Sequence, residues 1–243
     1  MNLHSKVEVA DYIWSHSHFY HSCLLQCENL YREEKGFSSV MILFNCLENI
    51  SKSVINDYDS SLYDVFLKLY KQNIITKKEY EFLNEGDFCI RRIRNLYAHK
   101  NIAAINFLGV CEGKEVLWPL TENETSLMIY STISDIVFNL MIKMVSAEFV
   151  DSVKEKFQIS LDEYIDRCNI RYKILTAKEL LILKGYPEDY IPDDIDMPED
   201  AKIRLVDNSP DLSINMYLYK NLVNELKIEK AINNIDSDSI KES

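Results

Sequence analysis

Apolar residues recur at helical spacing through most of the first 158 residues of this chain. They do so over residues 7–31, again over residues 38–57, and in a third segment from about Ser60 to Gln72. Such spacing puts the apolar side chains on one face of an amphipathic helix. The pattern therefore predicts a bundle whose helices bury their apolar faces in a shared core.

Helix starts are predicted by four short motifs, in which Ser or Thr is followed three positions later by Glu. They are TKKE (76–79), TENE (121–124), SLDE (160–163) and TAKE (176–179). In such a capping box the hydroxyl and the carboxylate each accept a hydrogen bond from a backbone N–H of the first turn. We also expect Ser38 or Ser39 to cap the second helix, and Ser209 with Pro210 to open the last one.

Residues 104–120 do not follow the helical pattern. Short apolar runs flank the pair Glu112-Gly113 in the stretch INFLGVCEGKEVLW. Two apolar runs around a turn of this kind predict a small β-hairpin. Because the chain has only five Gly and five Pro, we expect the remainder to be helical rather than a many-turned β structure.

The predicted fold class is therefore mostly α, in two parts. Residues 1–158 form a helical bundle with a small hairpin insertion. Residues 159–243 form a smaller, acidic helical unit with a Pro- and Asp-rich loop at 187–200 and a polar, frayed end.

Charge is distributed unevenly along the chain, whose formal net charge is −12. Residues 1–102 carry 12 Lys and Arg against 13 Asp and Glu, whereas residues 161–243 carry 11 against 18. An acidic protein does not adhere generally to nucleic acid or to an anionic membrane. Any anion-binding site is therefore expected in the N-terminal part.

Cysteine usage and hydropathy predict a cytoplasmic protein with no membrane partner. The six cysteines are scattered and form no Cys-x-x-Cys motif, so we expect free thiols in a reducing compartment. The first residues lack the pattern of a secretory signal, and no segment is interpreted as apolar enough to span a membrane.

The most unusual local chemistry lies in RRIRNLYAHKN, residues 91–101. Asn95 and His99 are four residues apart and share one face of a helix. Arg94 lies about 140° around the helix from His99, given the helical period. Either its long side chain curls back, or the helix ends near the histidine.

These residue types suit metal-free cleavage of RNA by its own 2′-hydroxyl. An imidazole takes or gives a proton near neutral pH, and a guanidinium grips phosphate oxygens with a planar fork. The reaction needs proton transfer and stabilisation of a crowded, charged phosphorus centre. Positive charge for RNA binding is supplied by three neighbours, Arg91, Arg92 and Lys100.

The motif Arg-Asn-x-x-x-His, with the preceding stretches LFNCLENISKSVI and IITKKEYEFL, resembles the HEPN superfamily over about residues 7–145. Members of that superfamily include ribonucleases of toxin–antitoxin, abortive-infection and CRISPR systems. The resemblance implies an all-helical domain in which Arg94 and His99 are catalytic, with Asn95 as their polar neighbour. It also implies a homodimer that forms one cleft for RNA. No cofactor or metal is expected.

The chain departs from one branch of that superfamily, because His99 is followed by Lys100-Asn101 rather than by x-Tyr. The resemblance therefore leaves the subfamily open. It predicts a metal-independent RNA endonuclease of prokaryotic antiviral defence or of a toxin–antitoxin system, with an antitoxin as a possible partner. The alternative is a non-catalytic HEPN module, since a histidine and basic residues near a helix C-terminus also favour the helix dipole.

A second resemblance lies in KILTAKELLILKGYPEDYI, residues 173–191, together with VDNSPDLSINMYLYKNL further on. These stretches are similar to the closing region of cytosine-5 DNA methyltransferases, with Asp207 in place of a Gly. The chain contains no Pro-Cys and no Gly-x-Gly, so the nucleophile and the cofactor turn of those enzymes are missing. The third hypothesis is an accessory subunit of a DNA-modification system, which binds a methyltransferase-like partner.

Metal binding has one weak candidate in the stretch HSHFYHSC, which begins at His16. His18 and His21, like Cys23 and Cys27, have spacings that zinc uses on a helix. No partner pair is evident elsewhere in the sequence, and the neighbouring aromatic residues are typical of packing. We therefore predict no metal site.

Overall fold

The computed structural model describes residues 3–111, 114–188 and 197–212. These residues are mostly helical, with one small sheet. The chain divides into two compact units, Met1–Ile174 and Leu175–Ser243. The division lies after Ile174 rather than after residue 158, because residues 171–174 form a strand that belongs to the sheet of the first unit.

Nine α-helices are described in the first unit. They are α1 (Lys6–Ile13), α2 (His18–Arg32), α3 (Gly36–Val54), α4 (Leu62–Lys71), α5 (Lys77–Asn84), α6 (Ile90–His99), α7 (Asn123–Ser146), α8 (Asp151–Phe157) and α9 (Asp162–Arg167). In the second unit the described helices are α10 (Ala177–Leu183) and α11 (Glu199–Asp207).

The predicted hairpin is present, and it belongs to a three-stranded sheet. Strand β1 (Ile105–Cys111) pairs antiparallel with β2 (Lys114–Pro119) on one side and with β3 (Arg171–Ile174) on the other. In register, Phe107 lies opposite Trp118 in β2 and Tyr172 in β3. The hairpin was predictable from local sequence, whereas β3 comes from a distant segment whose four residues show no clear strand pattern.

The core of the first unit forms where α3 packs against α7. Helix α7 is long and apolar enough to cross a membrane by length and composition, so the prediction that no segment reaches that level is wrong. However, 72% of its most apolar window is buried inside the protein. Its apolar character is that of a central helix surrounded by the bundle.

The junction of α2, α3 and α7 leaves no room for a side chain at position 36. Gly36 is the first residue of α3, and a Cβ there would lie 2.6 Å from the backbone nitrogen of Leu127 in α7. The Asn123 side chain accepts a hydrogen bond from the Gly36 N–H and donates one to the Glu34 carbonyl. The predicted caps Ser38 and Ser39 are wrong, because α3 already begins two residues earlier.

Two of the four predicted capping boxes form. Thr76 and Thr176 each accept a hydrogen bond from the N–H of the Glu three residues on, which bonds back to the threonine N–H. The boxes at Thr121 and Ser160 are wrong. Helix α7 starts at Asn123, whose side chain is committed to the α2–α3 turn, and α9 starts at Asp162 without a side-chain cap.

The predicted single helix over residues 7–31 is also wrong, since it is two helices. Ser17 has an extended backbone, and its hydroxyl accepts a hydrogen bond from the Tyr20 N–H, which opens α2. A serine that caps a helix start competes with continuation of the preceding helix. The helix predicted after Pro210, the frayed end and much of the loop at 187–200 fall outside the described residues.

A buried ion pair joins α5 to α7. The Lys143 ammonium donates to Glu79 Oε1 at 2.7 Å, and their side chains are 5% and 0% exposed. The other Glu79 oxygen accepts the Thr76 N–H in the capping box, and Lys143 also reaches the Ile159 carbonyl at 3.4 Å. Both charges are thus surrounded by hydrogen-bonding partners, which a buried pair requires.

Candidate functional site

Helix α6 carries the Arg-Asn-x-x-x-His motif beside its buried face. Its buried residues are Ile90, Ile93, Leu96 and Tyr97. The Tyr97 hydroxyl lies 3.0 Å from the Ser126 hydroxyl in α7, which fixes α6 on the bundle. Arg94 and Asn95 are half-buried, and His99 is exposed.

Both ways of bringing Arg94 to His99 that the sequence left open occur together. His99 is the last helical residue, and Lys100 has an extended backbone. The Arg94 side chain curls back, so that its Nη1 lies 3.2 Å from His99 Nε2 and 3.1 Å from Asn95 Oδ1. The structure therefore brings the three predicted catalytic residues into one contact group.

The contact with Arg94 assigns a role to His99 Nε2. A guanidinium nitrogen only donates hydrogen bonds, so a hydrogen bond between these two atoms has Nε2 as its acceptor. That hydrogen bond requires the His99 tautomer with its proton on Nδ1. An imidazole in this state can take a proton at Nε2.

A fourth residue of the site, Glu48 in α3, was missed by sequence reasoning. Its Oε2 accepts a hydrogen bond from Arg94 Nη2 at 2.5 Å, and its Oε1 pairs with Lys52 Nζ at 2.9 Å. The side chains of Glu48, Lys52 and Arg94 are 17%, 16% and 27% exposed. The available signal was a Glu-x-x-x-Lys pair on an apolar helix, but nothing local related it to a motif 46 residues further on.

The two cations keep Glu48 ionised. Burial raises the pKa of its carboxyl group, but the hydrogen bond from Lys52 and the charge of Arg94 outweigh burial, and the net pKa is lowered. The carboxylate therefore bears its charge at neutral pH. With one anion between two cations, the group of three carries a net charge of +1.

A small open pocket of about 70 Å³ lies between α3 and α6 at this group. It is lined by Met41, Phe44, Asn45, Glu48, Arg94 and Ala98. We call this place the α3–α6 groove. Its lining combines apolar side chains with the Arg94–Glu48 contact. His99, which is exposed, lies beside the groove in contact with Arg94.

The three residues predicted to bind RNA differ in their surroundings. The Arg91 guanidinium donates to the side chain and the carbonyl of Asn84 at 2.7 and 3.2 Å, and it lies 5.3 Å from the Tyr63 ring centre. Arg92 forms an exposed ion pair with Asp87 at 3.1 Å. Lys100 is exposed just beyond the end of α6. Arg91 thus holds α6 to the end of α5, and Lys100 is the better placed of the three for a ligand at His99.

The His- and Cys-containing stretch of α2 is engaged in packing. The Trp14 ring stacks on His18 at 3.7 Å, His21 Nδ1 lies 2.8 Å from the Ala10 carbonyl, and His16 pairs with Glu148. Within the described ranges, no three His, Cys, Asp or Glu side chains are grouped closely enough to hold a metal ion.

In the second unit, the structure connects the two sequence stretches that drew the methyltransferase resemblance. The Lys184 ammonium donates to three carbonyls at the end of α11, those of Val206, Asp207 and Ser209, each at 2.8 Å. Gly185 has a φ of +88°, which favours glycine after a helix. The Lys184 contacts therefore tie the end of α10 to the end of α11, and the positive φ accounts for the glycine that follows.

Comparison with known proteins assigns no relative. No family model matches the chain, and neither the curated proteins nor the solved structures contain a significant match. Functional inference therefore rests on the residues themselves.

Proposed function

We propose that this protein is a metal-independent RNA endonuclease of the HEPN type, with its site at the end of α6. The observation that carries the proposal is the 3.2 Å contact between Arg94 Nη1 and His99 Nε2. It joins a permanent cation to a neutral imidazole at a solvent-exposed groove, and these are the two groups that cleavage by the internal 2′-hydroxyl requires.

In the proposed reaction, His99 Nε2 takes the proton of the 2′-hydroxyl, whose oxygen then attacks the adjacent phosphorus. The substrate phosphate takes the N–H of Arg94 Nη1 away from His99 Nε2, which frees the Nε2 lone pair for this proton, while Nη2 stays on Glu48. The guanidinium then stabilises the negative charge that builds on the phosphate. The bond from phosphorus to the 5′-oxygen breaks, and that oxygen receives a proton. The products are a 2′,3′-cyclic phosphate on the 5′ fragment and a 5′-hydroxyl on the 3′ fragment.

One protomer contains one histidine at this site, whereas the reaction needs a proton acceptor and a proton donor. We therefore include a homodimer in the proposal, in which His99 of a second copy starts as the imidazolium, gives its proton to the leaving oxygen and becomes neutral. The setting is a cytoplasmic defence or toxin–antitoxin system of a prokaryote, with RNA as the substrate.

The proposal is tested with purified wild-type and His99→Ala protein, incubated with total RNA in the presence of EDTA. We expect the wild type to cleave RNA, to leave cyclic phosphate ends and to spare DNA, which lacks the internal nucleophile. His99→Ala should be at least about 100-fold slower. Equal cleavage by the variant, or cleavage that chelation abolishes and magnesium restores, contradicts the proposal.

A second candidate, a non-catalytic helical binding module, is favoured by the contact between Arg94 and Glu48. A carboxylate 2.5 Å from the guanidinium also occurs in ion pairs with a purely structural role. This candidate predicts no RNA cleavage by the wild type, together with RNA or protein binding that survives His99→Ala.

A further inference from the structure

Glu48 lies in the α3–α6 groove and takes no part in the proposed proton transfers. Its carboxylate is shared between two cations, with Lys52 on one oxygen and Arg94 on the other. Lys52 is one helical turn further along the same helix. The Lys52 contact therefore helps to hold the Glu48 side chain where it meets Arg94.

The contact with Glu48 restrains Arg94 from outside its own helix. Among the described residues, the other two acceptors of Arg94 are Asn95 and His99, which both belong to α6. Because the guanidinium is planar and rigid, an anchor at Nη2 fixes the direction of Nη1 as well. Nη1 is the nitrogen that meets His99.

Glu48 does not exhaust the capacity of Arg94 to bind phosphate. A guanidinium has five N–H donors. The acceptors found within the described part of the chain occupy three of them: Glu48 on Nη2, and Asn95 and His99 on Nη1. The N–H of Nε and the second N–H of Nη2 are left for a ligand, and the charge of the group stays positive because of Lys52.

We propose that Glu48 is a positioning residue, which orients the Arg94 guanidinium and thereby keeps His99 in the tautomer whose Nε2 accepts a proton. The catalytic part of this inference rests on the proposed ribonuclease function. The structural part, that Glu48 controls the tautomer of His99 through Arg94, does not depend on any activity.

The structural part is tested by NMR of protein carrying ¹⁵N-labelled histidine, with the His99 signals assigned from His99→Ala. The wild type should show the proton on Nδ1. Glu48→Gln should shift His99 toward the tautomer mixture of a free imidazole, because the amide cannot hold both cations. Glu81→Gln is the matched control, since Glu81 also pairs with a lysine four residues away, at an exposed position. An unchanged His99 tautomer in Glu48→Gln overturns the inference.

The catalytic part is tested by RNA cleavage with the same variants. We expect Glu48→Gln to lower kcat by about tenfold or more, as for a misplaced catalytic group, with KM changed much less and with Glu81→Gln unaffected. A rise in kcat would mean that Glu48 suppresses Arg94, and an unchanged kcat would mean that it has no part in the reaction, so either result overturns this part. If the wild type cleaves no RNA, the proposed function fails, and the NMR result alone decides the inference about Glu48.

Discussion

Two carboxylates in this bundle each pair with a cation on another helix, and their surroundings are opposite. Glu79 in α5 faces Lys143 in the core, where neither side chain is more than 5% exposed. Glu48 in α3 faces Arg94 at the surface groove, where both side chains retain partial contact with solvent. In the core pair the second carboxylate oxygen binds the chain's own backbone, whereas at the groove it binds a second cation.

The difference lies in what remains available for a ligand. Glu79 and Lys143 are enclosed by a capping box and a carbonyl, so their hydrogen bonds serve the fold. Among the described residues, two of the five N–H donors of Arg94 have no acceptor, and Arg94 also touches an imidazole at the surface. Charged groups at functional sites tend to have perturbed pKa values and to be accessible to a ligand. At the groove, the pKa of Glu48 is lowered, and Arg94 is partly exposed to solvent.

The largest expected effect concerns stability. Lys143→Met leaves the Glu79 charge buried without its cation, so we expect the free energy of unfolding to fall by about 3–5 kcal/mol. Arg94→Met should cost about 1 kcal/mol or less, because Glu48 keeps Lys52 and is near water. Urea denaturation of both variants measures the two losses of unfolding free energy. Equal losses would contradict the expected difference between the core pair and the groove pair.

The second effect concerns the proposed ribonuclease activity, for which Arg94 rather than Lys143 is expected to matter more. Arg94→Lys should reduce RNA cleavage by about 100-fold or more, because a point charge cannot orient His99 and grip phosphate as the planar fork does. Unfolding of this variant in urea should match that of the wild type. Retained cleavage in Arg94→Lys would mean that Arg94 contributes only charge.

Much of the groove side of this comparison was predictable from local sequence, whereas the core side was not. Arg94, Asn95 and His99 lie within six residues, and helical geometry put Asn95 and His99 on one face but left the approach of Arg94 open. Glu48 and the Lys143–Glu79 pair depend on how α3, α5, α6 and α7 pack, and no local pattern encodes that packing.

The same distinction explains the helix starts. The boxes at Thr76 and Thr176 use only residues of their own first turn, and both formed. The capping box predicted at Thr121 did not form, because the side chain of Asn123 is hydrogen-bonded to Glu34 and Gly36 in a distant turn.

The third effect is the pH dependence of the groove pair. The pKa of Glu48 is lowered in the folded state, below its ordinary value of 4.5. Its ionised form is thus favoured by folding, so its contribution is present above that value and is lost as the pH falls through the lowered pKa. The difference in unfolding free energy between wild type and Glu48→Gln should be constant near neutral pH and shrink below about pH 4.5. A difference that grows on acidification contradicts the lowered pKa.

The smallest effect concerns salt. If RNA binds beside His99, Lys100→Gln should reduce the slope of log affinity against log salt by about 0.7, the value for one phosphate contact with a single strand. Arg91→Gln should leave that slope unchanged, since its guanidinium is already held by Asn84. Fluorescence anisotropy with a labelled RNA, measured over a range of salt, distinguishes the two variants.

The sheet that follows α6 has a consequence for the order of folding. Strands β1 and β2 are neighbours in sequence and can pair early, but β3 joins β1 only after the intervening chain, including α7, has been placed. Closing so long a loop costs entropy before the contact stabilises anything, and such contacts slow folding. The completed three-stranded sheet should therefore be among the last parts of the first unit to form. In a nascent chain, it would be completed only after residues 171–174 have left the ribosome.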